Sequence, residues 1–122
     1  MAFTLSQRSK TKLIGVHPDL VRVVNRALTL TPIDFMITEG LRTKARQAEL
    51  VAAGASRTMN SRHLTGHAID FAAIVGGQVR WDWPLYKTIG DAFKAAAKAE
   101  GVAIVWGGDW RTLRDGPHVE LA

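Results

Sequence analysis

Apolar positions along this chain follow two periods. Pro18 and Asp19 open a stretch that carries Leu20, Val21, Val24, Ala27 and Leu28 on one side at helical spacing. Proline suits the first turn, where its missing N–H leaves no helical bond unmade. Thr31-Pro32 ends that helix, and Ile33 to Thr38, rich in apolar and β-branched residues, predicts a strand. Thr43 to Ala53 predicts a second helix stopped by Gly54, and Ala55 to Arg62 a polar loop. His67 to Val75 and Gln78 to Trp81 predict two strands around Gly76-Gly77, a hairpin signal. Pro84 to Glu100 reads as an alanine-rich amphipathic helix ended by Gly101. Val102 to Trp106 and His118 to Leu121 supply the last strands. The order predicts an α+β fold, with helices grouped around a mainly antiparallel sheet.

Composition narrows the class. At 122 residues and 13.3 kDa the expectation is one domain over residues 1–122. A chain of this size buries roughly two-thirds of its unfolded surface, enough for one core. With 47% hydrophobic residues it is not a disordered chain. Sixteen Lys and Arg against eleven Asp and Glu give +5, and the cationic excess falls in the first half. A basic flank suits an anionic polymer such as peptidoglycan or lipopolysaccharide; scattered solvated charge accounts for it equally well, because no dense block exists. No aromatic-basic stripe argues for nucleic acid as a partner. Residues Met1 to Lys12 are polar and basic, unlike a secretory signal, and no segment is apolar enough for membrane insertion. Cysteine is absent, so any zinc site must use imidazole and carboxylate.

Such a site is visible. Ser61-Arg62-His63-Leu64-Thr65-Gly66-His67-Ala68-Ile69-Asp70 and Asp115-Gly116-Pro117-His118 together offer imidazoles and carboxylates. His63 and Asp70 would lie about 23 Å apart on one straight strand, so the chain must bend between them to share an ion. Leu64-Thr65-Gly66 supplies that bend, since glycine tolerates backbone angles closed to other residues. From His67 onward the pattern alternates, which turns Asp70 away from His67, Ile69 and Phe71. His63, Asp70 and His118 are therefore the candidate metal ligands, and His67 is left out. Three protein ligands leave a fourth zinc position open, the mark of a hydrolytic rather than a structural site. Pro117 turns the chain into the last strand, and Asp115 can fold back toward whatever His118 binds.

The pattern Ser61-x-His63-x-x-Gly66-x-Ala68-x-Asp70 with Asp115-x-x-His118 resembles the zinc peptidases of the D-alanyl-D-alanine carboxypeptidase and VanY-like group. That group includes the phage L-alanyl-D-glutamate endopeptidases used as endolysins. Glu39-Gly40-Leu41-Arg42-Thr43 with Gln47, and Trp106-Gly107-Gly108-Asp109-Trp110, resemble further segments of it. The likeness runs from about Ile33 to Glu120. Many members carry Glu where this chain has Asp115, and some phage endopeptidases carry Asp there.

The resemblance implies a Hedgehog/DD-peptidase-like fold and a zinc-dependent hydrolysis of the peptidoglycan stem peptide, at the L-Ala–D-Glu bond. Asp115 becomes the general acid–base, and Arg42 a catalytic and substrate-binding donor on the oxyanion side. Ser61 is a substrate-binding candidate, with a simple turn serine as the alternative. Glu120 shares parity with His118 and either supports it or is a solvated carboxylate; it is also the rival base. Trp106, Asp109 and Trp110 are expected to be structural, and His17 to have no role. A monomer is expected, held in the host cytoplasm without a signal peptide and reaching the wall after membrane permeabilisation. The alternatives are a D-alanyl-D-alanine carboxypeptidase and a non-catalytic wall-binding module of the same fold.

Overall fold

The computed structural model describes residues 3–56 and 58–122; Met1 and Ala2 of the polar N-terminal stretch, and Arg57 of the predicted polar loop, lie outside the described residues. Among these, the helices are α1 Gln7–Lys12, α2 Pro18–Leu30, α3 Lys44–Ala52 and α4 Trp83–Glu100. The strands are β1 Asp34–Glu39, β2 Ala68–Val75, β3 Gln78–Arg80, β4 Ile104–Trp106 and β5 His118–Leu121. All pairings are antiparallel, in the order β1-β2-β5-β4, with β3 folded back on β2. The predicted class is therefore the observed one, and no end of a predicted element moves by more than two residues. The largest shift is β4, which starts at Ile104 rather than Val102.

Local chemistry sets the helix ends. The Thr43 hydroxyl accepts the Arg46 N–H at 3.1 Å and starts α3. Gly101, at φ +68°, closes α4 in the left-handed conformation. His17, given no role by the sequence, caps α2: its Nδ1 accepts the Asp19 N–H at 3.1 Å. The buried face of α2 is Leu20, Val23, Val24, Ala27 and Leu28, so Val23 takes the inward place expected of Val21, which sits at the core margin.

Helix α1 was not predicted. Six residues are too few to show a period, and only Ser9 of them is buried. Its contribution is polar: the Ser9 hydroxyl accepts the Ile37 N–H of β1 at 3.0 Å. An edge strand's free N–H is thus satisfied from α1 rather than left exposed for another strand.

Helices α2 and α4 pack on each other, and the core lies between them and one face of the sheet. Phe35 of β1, Phe71 of β2 and Phe93 of α4 meet with ring centroids 5.1–5.7 Å apart. Each such buried ring contributes on the order of 1.5–3 kcal/mol through area removed from water. The alternation predicted for β2 holds. Ile69, Phe71 and Ala73 face this core, and Asp70 points to the opposite face. Register does the rest: Glu39 pairs with Asp70, and Asp70 with His118, so the three stand in one row across β1, β2 and β5.

Candidate active site

The face of the sheet away from α2 and α4 forms the floor of a cleft of about 700 Å³. Each predicted site residue lines it: Arg42, Ser61, His63, Asp70, Asp115 and His118. Two devices bring His63 back onto Asp70. Ser61 caps a 3₁₀ turn, Arg62–Thr65, by accepting the His63 N–H at 3.2 Å. Gly66 then reverses the chain at φ +73°, where an added Cβ would collide with the Gly15 carbonyl oxygen. This is the bend that the spacing of His63 and Asp70 required.

The ligand atoms of His63, Asp70 and His118 lie within 4.8 Å of one another. Asp70 Oδ1 is 3.2 Å from His63 Nε2 and 3.1 Å from His118 Nδ1. The far nitrogens of both rings are held. His63 Nδ1 is 2.9 Å from the Gly40 carbonyl, which can only accept, so that nitrogen carries the hydrogen. His118 Nε2 is 2.8 Å from Glu120 Oε1, which assigns its hydrogen in the same way. When neutral, both rings therefore turn bare lone pairs toward Asp70. Three acceptors converging on one point are stable only with a positive charge among them. The donor set fits zinc, which takes imidazole nitrogen and carboxylate oxygen. Held far nitrogens are the usual way a metal-binding histidine is oriented.

The same convergence governs the charges. Without a metal, hydrogens on the near ring nitrogens take its place: burial works against ionised Asp70, but hydrogen bonds from His118 and His63 then hold its carboxyl well below the usual carboxylate range. Burial likewise opposes a charged His118, yet Asp70 and Glu120 raise its pKa above the ordinary value. Asp115 goes the other way: burial and the like charge of Asp70 raise its carboxyl. Its position in the cleft is fixed by backbone bonds, its own N–H to the Gly107 carbonyl at 3.0 Å and the His118 N–H to its carbonyl at 3.1 Å.

Arg42 is buried rather than a surface cation. Its Nε and Nη2 fork onto Glu39, both at 2.7 Å, and Nη1 donates to Gln47 Oε1 at 2.7 Å. Ser61 Oγ lies 3.5 Å from Nη1, and Asp70 Oδ2 3.7 Å from Nη2. Gln47, fully buried, passes the connection on to Ser56 Oγ at 2.8 Å and to the Thr58 carbonyl. Hydrogen bonding to Arg42 lowers the Glu39 carboxyl below its usual range. Glu39 and Arg62 line the cleft, though both stood within the sequence motifs without a role assigned to either. Only cross-strand register reveals Glu39, and the one available cue to Arg62 is that it precedes a ligand.

Trp106 is structural, as expected: it is buried and donates Nε1–H to the Gly116 carbonyl at 2.7 Å. Asp109 pairs with Lys94 at 2.6 Å near the surface. Trp110 builds the cleft wall, a structural place for an indole, with its ring 5.0 Å from that of His118.

The model of the family described as phage L-alanyl-D-glutamate peptidase matches residues 1–122. The chain belongs to the phage L-alanyl-D-glutamate peptidase family. It is 38% identical to the L-alanyl-D-glutamate peptidase of Escherichia phage T5, over 99% of both chains. It is 33% identical to the peptidoglycan L-alanyl-D-glutamate endopeptidase CwlK of Bacillus subtilis, over 73% of this chain and 61% of that one. Among solved structures, the Serratia marcescens L-Ala D-Glu endopeptidase ChiX superposes with a TM-score of 0.93 at 49% identity, covering 99% of this chain and 91% of that one. The fold implied by the motif resemblance is thus that of a peptidase in this family.

Proposed function

We propose that this family member hydrolyses the L-Ala–D-Glu amide of peptidoglycan stem peptides, with zinc held by His63, Asp70 and His118. The observation that carries the reading is the convergence of three acceptors, two of them on rings whose far nitrogens are already held, beside a carboxylate three residues before the last ligand. When bound, zinc supplies Lewis acidity toward the carbonyl and lowers the pKa of water.

The chain's own groups carry the proton. Asp115 accepts it from the attacking water and returns it to the leaving amine of D-Glu. Its raised pKa makes it the stronger base for taking that proton. Arg42 keeps Glu39 charged and in place, and its Nη2, 3.7 Å from Asp70, sets a positive field beside the metal ligands that offsets developing negative charge. Ser61 orients the turn that delivers His63 and offers the substrate a hydroxyl at the cleft wall.

In the cell the reading is an endolysin that meets the wall once the inner membrane has been opened. Among the described residues no helix is long and apolar enough to cross a membrane. The test is digestion of purified peptidoglycan followed by product masses. New N-terminal D-Glu and free L-Ala carboxyl ends are expected. Release of terminal D-Ala alone would make the protein a carboxypeptidase instead.

A further inference from the structure

The bond assigned above fixes one chemical fact about the substrate. D-Glu carries two carboxyl groups, and a stem peptide continues through only one of them. The other is a free carboxylate close to the leaving nitrogen. The cleft is poorly suited to such a group. Glu39, Asp70, Asp115 and Glu120 line it, against Arg42 and Arg62 as the cations among the described residues. Zinc would bring that set only to neutrality, so a substrate carboxylate needs a cation of its own.

The two arginines differ in what they have left to offer. The Arg42 side chain is 8% exposed, and the Glu39 fork and Gln47 take three of its N–H bonds at 2.7 Å. Ser61 and Asp70 face the remaining two. The Arg62 side chain is 45% exposed. One Nη2–H is anchored on the Leu121 carbonyl at 2.7 Å, and Nε stands 3.8 Å from Glu120 Oε2. Among the described residues neither N–H of its Nη1 has a partner, which leaves both for a ligand.

Placement favours Arg62 as well. It directly precedes ligand His63, and its partner Glu120 holds ligand His118. Its guanidinium is thereby stationed beside the metal ligands, anchored at one nitrogen and open at another. A planar donor pair is suited to a carboxylate.

We propose that Arg62 binds the free carboxylate of the substrate's D-Glu residue and makes the enzyme selective for the acid over its carboxamide. This inference rests on the L-Ala–D-Glu assignment. It gives Arg62 a binding role, separate from the proton transfer of Asp115 and from the Arg42 fork onto Glu39.

Two synthetic stem peptides test it, identical except that the free D-Glu carboxylate of one is a carboxamide in the other. With zinc-loaded wild-type protein, kcat/KM for the acid should exceed that for the amide by about tenfold or more, mostly through KM. In Arg62→Gln the ratio should fall to within about twofold, with zinc content unchanged by elemental analysis. Arg62→Lys, which keeps the charge, should retain part of the preference. Equal cleavage of both peptides by wild type overturns the role of Arg62 and leaves the bond assignment standing, whatever the variants do. A preference that survives intact in zinc-loaded Arg62→Gln overturns it too. Cleavage of neither peptide at the Ala–Glu bond removes the bond assignment, and this proposal with it.

Discussion

Two carboxylates compete for the role of base, and their surroundings separate them. Glu120 holds Nε2 of His118 at 2.8 Å and faces Arg62, so its oxygens are engaged in orienting a ligand. Asp115 has no side-chain partner of this kind, lines the same cleft and has a raised pKa. Asp115→Asn keeps the shape and removes the proton acceptor. It is expected to retain zinc while kcat falls by about 10²-fold or more. Glu120→Gln should instead weaken zinc affinity by roughly 10–100-fold, as loss of a ligand's outer partner does. Stopped-time hydrolysis at saturating zinc distinguishes the two. Near-normal turnover by Asp115→Asn beside an inactive, zinc-loaded Glu120→Gln would transfer the base to Glu120.

At the scale of elements, strand β1 shows how a short helix completes a sheet edge. The Ile37 N–H is buried and is satisfied by the Ser9 hydroxyl of α1. Ser9→Ala leaves that donor without a partner, at an expected cost of about 1–3 kcal/mol. Urea denaturation should show this as a lower midpoint with an unchanged slope. The exposed hydroxyl of Thr29, bonded within its own helix, is the control: Thr29→Ala should move the midpoint little. Equal midpoints for Ser9→Ala and wild type would mean that α1 does not stabilise β1 through this bond. The effect reaches function because β1 ends at Glu39, the residue on which Arg42 is forked.

For the whole molecule, stability and the site are linked through charge. The proposed zinc site exists only once folding has brought His63, Asp70 and His118 together, so loading it should raise the melting temperature with increasing free zinc, and chelation should lower it. The Arg42–Glu39 pair adds a pH dependence of definite sign. The Glu39 carboxyl is lowered in the folded protein, so its contribution is fully present above the ordinary Glu value of about 4.3 and is lost as pH falls through the folded value. The stability gap between wild type and Glu39→Gln in the chelated proteins should therefore be largest near neutrality and close on acidification. A gap that is constant with pH would show that packing, not charge, gives Glu39 its effect.

Much of this was legible before any coordinates. Alternation placed Asp70 opposite Ile69 and Phe71, because strand parity is a local property of the backbone. The need for a bend between His63 and Asp70 followed from chain geometry, and Gly66 marked where it falls. The helices α2 and α4 showed in their apolar period, although Val23 rather than Val21 proved to face inward. Residue type and spacing also named three candidate ligands and a nearby carboxylate, which the fold brings into one cleft. What remained hidden depends on partners distant in sequence. Helix α1 carries no periodic signal and is held by a hydrogen bond to β1, 28 residues further on. Glu39 enters the site only through cross-strand register. Arg42 could be read as a cation near the chemistry, but not as one already forked on Glu39. Arg62 could not be told apart from any exposed arginine, because which donors stay unspent is settled only when the carbonyl of Leu121 and the carboxylate of Glu120 come to rest beside it.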